Sequence, residues 1–132
     1  MNTMSQTMNK AMRILGVPFT SSLEDPGVWW YELERNGKKY ALCLRTSTRV
    51  NQLRVDCFRD GVFHEGDVDR AQEFVEFANC HILIGQLHFF DQNRRLVYSE
   101  SLRINPFQFN EQFLASNLID VLGQMDFYER EI

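Results

Sequence analysis

The pair Asn36-Gly37 sits between two alternating apolar runs in DPGVWWYELERNGKKYALCLRTS, and it constrains the fold more than any other feature. Asn-Gly is the favoured pair for a two-residue hairpin loop, because both loop positions need a positive φ. Such a loop fixes the register, and a register can be tested against chemistry. Leu33 falls opposite Tyr40, Tyr31 opposite Leu42 and Trp29 opposite Leu44, which makes one continuous apolar face. The other face pairs Glu34 with Lys39, opposite charges across the strands, and Trp30 with Cys43. Asp25-Pro26-Gly27 supplies a turn ahead of the hairpin. The two adjacent tryptophans therefore point to opposite sides: Trp29 into a core, and Trp30, with Val28, onto the other face, where it either meets a partner or covers the sheet beneath the first helix.

The remaining segments build on that hairpin. Residues 52 to 59, QLRVDCFR, alternate with Leu53, Val55 and Cys57 on one side, and form a third strand ended by Asp60-Gly61. Ahead of the hairpin, Met4, Met8, Ala11, Met12 and Leu15 recur at helical spacing, so residues 3 to 15 read as an amphipathic helix stopped by Gly16 and Pro18. Asp67 is placed to cap a second helix, with Asp69 in its first turn and Ala71, Phe74, Val75 and Ala78 as its buried stripe. The apolar period changes from helical to strand-like between residues 79 and 82.

A second hairpin follows. A four-residue loop at residues 92 to 95 sets Phe89 opposite Tyr98, Gly85 opposite Leu102 and Leu83 opposite Ile104, with Gln86, His88, Ser99 and Ser101 on the polar side. Glu100 breaks the pattern by landing on the apolar face, which suits only a position near a sheet edge. Asn105-Pro106 then opens a long helix over residues 106 to 127, with Phe109, Phe113, Leu114, Asn117, Leu118, Val121, Leu122 and Met125 along one stripe. The order is α-β-β-β-α-β-β-α: an α+β fold, an antiparallel sheet packed with helices, in a single domain over residues 1–132. A 44% hydrophobic fraction and 11 phenylalanines are ample for the core that this order needs.

Reactive side chains point away from catalysis. The stretch ANCHILIGQLHFFDQ holds Cys80, His81 and His88. The two histidines differ by an odd number of positions, so within one strand they face opposite ways, and no third ligand stands at a fixed spacing. There is no H-E-x-x-H, no G-x-S-x-G and no Gly-rich phosphate loop. No enzyme activity and no cofactor are expected. A net charge of -4 and a pI of about 5.3 argue against duplex nucleic acid as a partner. No run approaches the length of a membrane span, and the first residues lack the apolar core of a signal peptide. Three widely spaced cysteines, Cys43, Cys57 and Cys80, fit a reducing compartment in which they act as small buried hydrophobes, so the expected location is the cytoplasm.

With EFVEFANCHILIGQLHFFDQNRRLVYSESLRI followed by FNEQFLASNLIDVLGQMDFYE, the second half is similar to the YbjN family of bacterial proteins. The element order as a whole resembles the type III secretion chaperone fold, over residues 23 to 130. The adjacent tryptophans and the methionine-rich first helix depart from a dedicated secretion chaperone. The resemblance implies a non-enzymatic bacterial protein acting through protein contacts, chaperone-like or regulatory; secretion chaperones of this fold are homodimers that hold partly unfolded clients. The residues expected at a partner surface are Val28, Trp30, Met4, Met8 and Met12, since exposed aromatics and adaptable methionines suit such contacts. The apolar breadth of the last helix, across Phe109, Phe113, Leu118 and Leu122, points to a homodimer. The alternative is a small-ligand sensor with a pocket between the sheet and the first helix.

Overall fold

The computed structural model describes residues 3–131 except 23, 26, 48–50, 83 and 106, with side chains described from residue 6 onward. The elements are α1 (Thr3–Leu15), β1 (Thr20–Ser21), β2 (Val28–Arg35), β3 (Lys38–Ser47), β4 (Gln52–Arg59), α2 (Val68–Asn79), β5 (Gln86–Phe90), a 3-10 turn (Gln92–Arg94), β6 (Arg95–Arg103) and α3 (Glu111–Glu131). The strands form one sheet in the order β1-β2-β3-β4-β6-β5, antiparallel throughout. The α+β order read from the sequence is the observed one, with the two-residue β1 added at the edge.

The first hairpin has the register that Asn36-Gly37 dictates: Leu33 opposite Tyr40, Tyr31 opposite Leu42, Trp29 opposite Leu44 and Glu34 opposite Lys39. Asn36 (φ 53) and Gly37 (φ 75) both take the left-handed backbone that such a loop requires. The second hairpin differs from expectation. Phe90 pairs with Arg95, Phe89 with Leu96 and Leu87 with Tyr98, so the loop is residues 91 to 94 rather than 92 to 95. Asn93 (φ 60) and Arg94 (φ 49) carry the reversal, and the Asn93 carbonyl accepts from the Gly61 amide at 3.0 Å. Within β5 the pairing moves by two residues, so those side chains keep their expected faces. The expected pairing of Gly85 with Leu102 does not form, because β5 begins at Gln86, and residue 83, expected opposite Ile104, lies outside the described residues.

Two helix starts also differ. Asp67 precedes α2 and its carbonyl accepts the Ala71 amide at 2.9 Å, but its carboxylate makes no capping bond. The last helix begins at Glu111, not at position 106, which lies outside the described residues. Asn105 instead closes its own turn, its side chain accepting from the Phe107 amide at 2.9 Å, and Asn110 caps the helix by accepting from Phe113 at the same distance.

The core lies between one sheet face and the helices. Leu114, Leu118, Val121, Leu122 and Met125 of α3, and Met8, Ala11 and Met12 of α1, meet Trp29, Leu42, Leu44, Leu53, Val55 and Tyr98. The Trp29 indole donates to Asn9 of α1 at 2.9 Å. At the hairpin end, the Tyr40 hydroxyl donates to Asp126 at 2.6 Å, and Arg59 and Lys38 reach Glu129 at 2.7 and 3.2 Å, pinning α3 to β3 and β4. The opposite sheet face is left without a helical layer among the described residues.

Candidate protein-binding surface

Alternation assigns the bare face. It carries Val28, Trp30, Glu32 and Glu34 from β2, and Lys39, Ala41, Cys43 and Arg45 from β3. Beside them stand Arg54, Asp56 and Phe58 from β4, and Val97, Ser99 and Ser101 from β6. Trp30 is its aromatic centre: 39% exposed, tilted 34° against Phe58 with ring centroids 5.6 Å apart. Phe58 also carries the Arg95 guanidinium over its ring at 5.5 Å, and Arg95 is held in turn by Asp60 at 2.7 Å. At the β5 edge, half-exposed Phe90 stacks with His88. An open groove of about 720 Å³ runs along the hairpin end of this face, lined by Glu32, Glu34, Lys39, Ala41, Phe58 and Arg95 among others.

Beneath Trp30 the face is closed. Cys43 and Asp56 pair across β3 and β4, and both are buried. The Asp56 carboxylate accepts from Arg54 at 3.0 Å and from the Ser99 hydroxyl. Burial pushes the Cys43 thiol above its ordinary range, against a smaller opposing pull from Arg45; Cys57, on the helix side, is raised by burial too. These thiols are structural hydrophobes. Cys80 is the exception: it is exposed at the end of α2, where the chain turns away from the core, so the expectation of burial fails there.

The residues expected at a partner surface separate. Val28 and Trp30 lie on the bare face. Met8 and Met12 do not: they are 0% and 5% exposed, filling the space between α1 and its neighbours, so they offer a partner nothing in this arrangement. The side chain of Met4 lies outside the described residues. The apolar stripe expected of the last helix is likewise spent inside the chain, at Leu118 and Leu122 of α3 and at Phe109 ahead of it, and only Phe113 of the four expected residues is exposed. Sequence reasoning missed Phe58. The alternation that set Leu53, Val55 and Cys57 inward already turned Phe58 outward, toward Trp30.

The expected pocket between sheet and α1 is filled by Trp29, Met8 and Met12. The groove beside α1 is walled by Asn9, Met12, Arg13 and residues 16 to 19, all from the helix and the segment after it. His81 is engaged locally, its Nδ1 2.9 Å from the Phe77 carbonyl and its ring on the Phe77 ring. Among the described residues no group of three or more His, Cys, Asp or Glu could hold a metal ion. None of the helices described is long and apolar enough to cross a membrane.

The fold of this chain is shared by solved structures that include YbjN, ExsC–ExsE and the HopA1–SchA chaperone–effector complex. YbjN from E. coli is similar over 96% of this chain and 88% of its own, with a TM-score of 0.65 at 15% identity. The ExsC–ExsE complex matches at a TM-score of 0.61 and 16% identity, covering 96% and 90% of the two chains. The HopA1–SchA chaperone–effector complex matches at 0.62 and 12%, covering 97% and 94%. No family model matches the sequence, and no curated protein matches it either.

Proposed function

We propose that this chain is a non-enzymatic protein-interaction module, chaperone-like or regulatory, that holds a partner protein on the bare face of its sheet. The observation that carries this reading is Trp30, a large indole 39% exposed on a face that no helix covers among the described residues. Exposed tryptophan beside other apolar side chains is the composition of interface hot spots. Two proteins of the same fold are known as complexes with other proteins, ExsC with ExsE and SchA with HopA1, which supports the reading. A bacterial cytoplasmic setting belongs to it. So does a homodimer, joined through the outer side of α3, where Phe113, Ile119 and Phe127 are 41%, 69% and 47% exposed.

The test is co-purification from the native cytosol with wild type and Trp30→Ser side by side. One and the same protein should return with wild type and be lost with the variant, at unchanged fold by circular dichroism. Equal recovery from both would remove the bare face from the function. Light scattering that gives 15.6 kDa at micromolar concentration would remove the homodimer.

A further inference from the structure

One end of the bare face concentrates charge of a single sign. Arg45 and Arg54 stand directly opposite each other on β3 and β4. Directly paired side chains have Cβ atoms about 4.5–5.5 Å apart, and like charges there are destabilising. Gln52 pairs with Arg103 one step further along, so alternation adds a third guanidinium to the same end of the same face. All three arginines are exposed. The countercharge is small. Arg45 bonds the Cys43 side chain; buried Asp56 takes Arg54 and also acts on Arg45, and Asp25 adds a smaller pull on Arg45 from the neighbouring loop. This sits in a chain of net charge -4, so the concentration is local. The hairpin end of the face is mixed by contrast, with Glu32 and Glu34 beside Lys39 and Arg95. Between the two ends lie Trp30 and Phe58.

We propose that the Arg45–Arg54–Arg103 end of the bare sheet face takes an acidic segment of a partner protein, whose adjoining apolar side chains settle on Trp30 and Phe58. The inference rests on the bare face being the partner site, and adds the partner's chemistry and its direction across the sheet. An acidic segment adds countercharge to a like-charge pair and a third arginine that the fold compensates only in part. The apolar centre selects a protein segment over a plain polyanion, because charge steers and orients while buried aromatics hold.

The probe is a fluorescein-labelled peptide of alternating Leu and Asp, compared by anisotropy with its Leu-Lys counterpart and with labelled oligouridylate. Each is titrated against the full chain, against Arg45→Ser/Arg103→Ser and against Trp30→Ser. Arg54 is left in place because it holds Asp56. The Leu-Asp peptide should bind wild type, weaken about tenfold in the double arginine variant, and weaken further as salt rises from about 0.05 M to about 0.5 M. Failure of the Leu-Asp peptide to bind wild type, equal binding of the Leu-Lys peptide, or unchanged binding by the arginine variant overturns the inference. Tighter binding of oligouridylate than of the acidic peptide overturns it in favour of nucleic acid. Loss of the native partner in Trp30→Ser but not in the arginine variant overturns this inference alone, and leaves the bare-face reading standing.

Discussion

Asn79 and Leu87 exchange two hydrogen bonds: the Asn79 amide donates to the Leu87 carbonyl and accepts from the Leu87 amide, each at 2.8 Å. Leu87 sits in β5, the edge strand, opposite Tyr98 of β6. One side chain at the end of α2 thus does for the open edge what another strand would do, satisfying a donor and an acceptor and denying both to a foreign chain. Asn79→Ala leaves both groups without a partner and should cost about 1–3 kcal/mol. Asn79→Asp keeps the acceptor but faces the Leu87 carbonyl with a second oxygen, and should be no better. Urea melts measure the loss, and hydrogen exchange at the Leu87 amide should accelerate in both variants. An unchanged exchange rate would mean that the clamp is not formed.

Gly85, just before β5, has φ +89, and a Cβ there would lie 2.5 Å from the Tyr98 hydroxyl and 2.8 Å from the Ser99 carbonyl. Tyr98 cannot give way cheaply, since its hydroxyl is 2.7 Å from the Glu100 carboxylate and 3.0 Å from the Ile84 carbonyl. Gly85→Ala should therefore cost about 2–4 kcal/mol, strain and clash together. Gly16, with φ +72, is the control, because nothing lies within 4 Å of its would-be Cβ. Gly16→Ala should cost about 1 kcal/mol, from backbone strain alone. Equal melting shifts for the two variants would show that the Tyr98 contact does not constrain the chain.

The same corner explains what was legible in the sequence and what was not. Faces were legible, because strand alternation and the Asn36-Gly37 loop are local. The second hairpin's offset was not: its loop is closed by the Gly61 amide and by Asp60 on Arg95, partners some 35 residues away in sequence. Glu100 looked like an error in an apolar row. It lies just past the last β5–β6 pair, Gln86 with Ser99, where β6 has lost one neighbour, and Tyr98 supplies its hydrogen-bond donor. The edge reading of Glu100 was right in kind, although β6 itself is an interior strand. The methionine stripe failed as a surface because spacing shows that a face is apolar and says nothing of what covers it. Trp29 and the helix α3 cover it here.

Stability should fall in alkali earlier and more steeply than in a chain with exposed phenols and thiols. Burial raises Cys43 and Cys57 above the ordinary thiol value of 9.0, and burial plus a carboxylate partner raises Tyr40 and Tyr98 above the ordinary phenol value of 10.0. All four groups are held protonated in the folded chain and lose protons more readily once unfolded. The unfolded state therefore binds fewer protons above about pH 9, and the free energy of unfolding declines as pH rises. Below about pH 8 these groups contribute almost no slope. Denaturant midpoints taken between about pH 7 and 11 should be flat in this respect and then fall, and Tyr98→Phe should shallow the fall. A slope unchanged in that variant would show that Tyr98 ionises as freely folded as unfolded.

The two tryptophans separate folding from binding. Trp29 is 1% exposed and anchors α1 through Asn9, so Trp29→Ala should cost about 3–5 kcal/mol, the loss typical of a large core truncation. Trp30 shares its faces with solvent and Phe58, so Trp30→Ala should cost about 1–2 kcal/mol while weakening the partner contact. Trp29→Phe offers a gentler core change that keeps the ring and loses only the Asn9 bond and some volume. It should lie between the other two in stability and bind the partner as wild type does. Denaturant melts with parallel partner binding decide the matter. Equal large losses of stability at both positions would make Trp30 a core residue, and the bare face would then have no aromatic centre to offer.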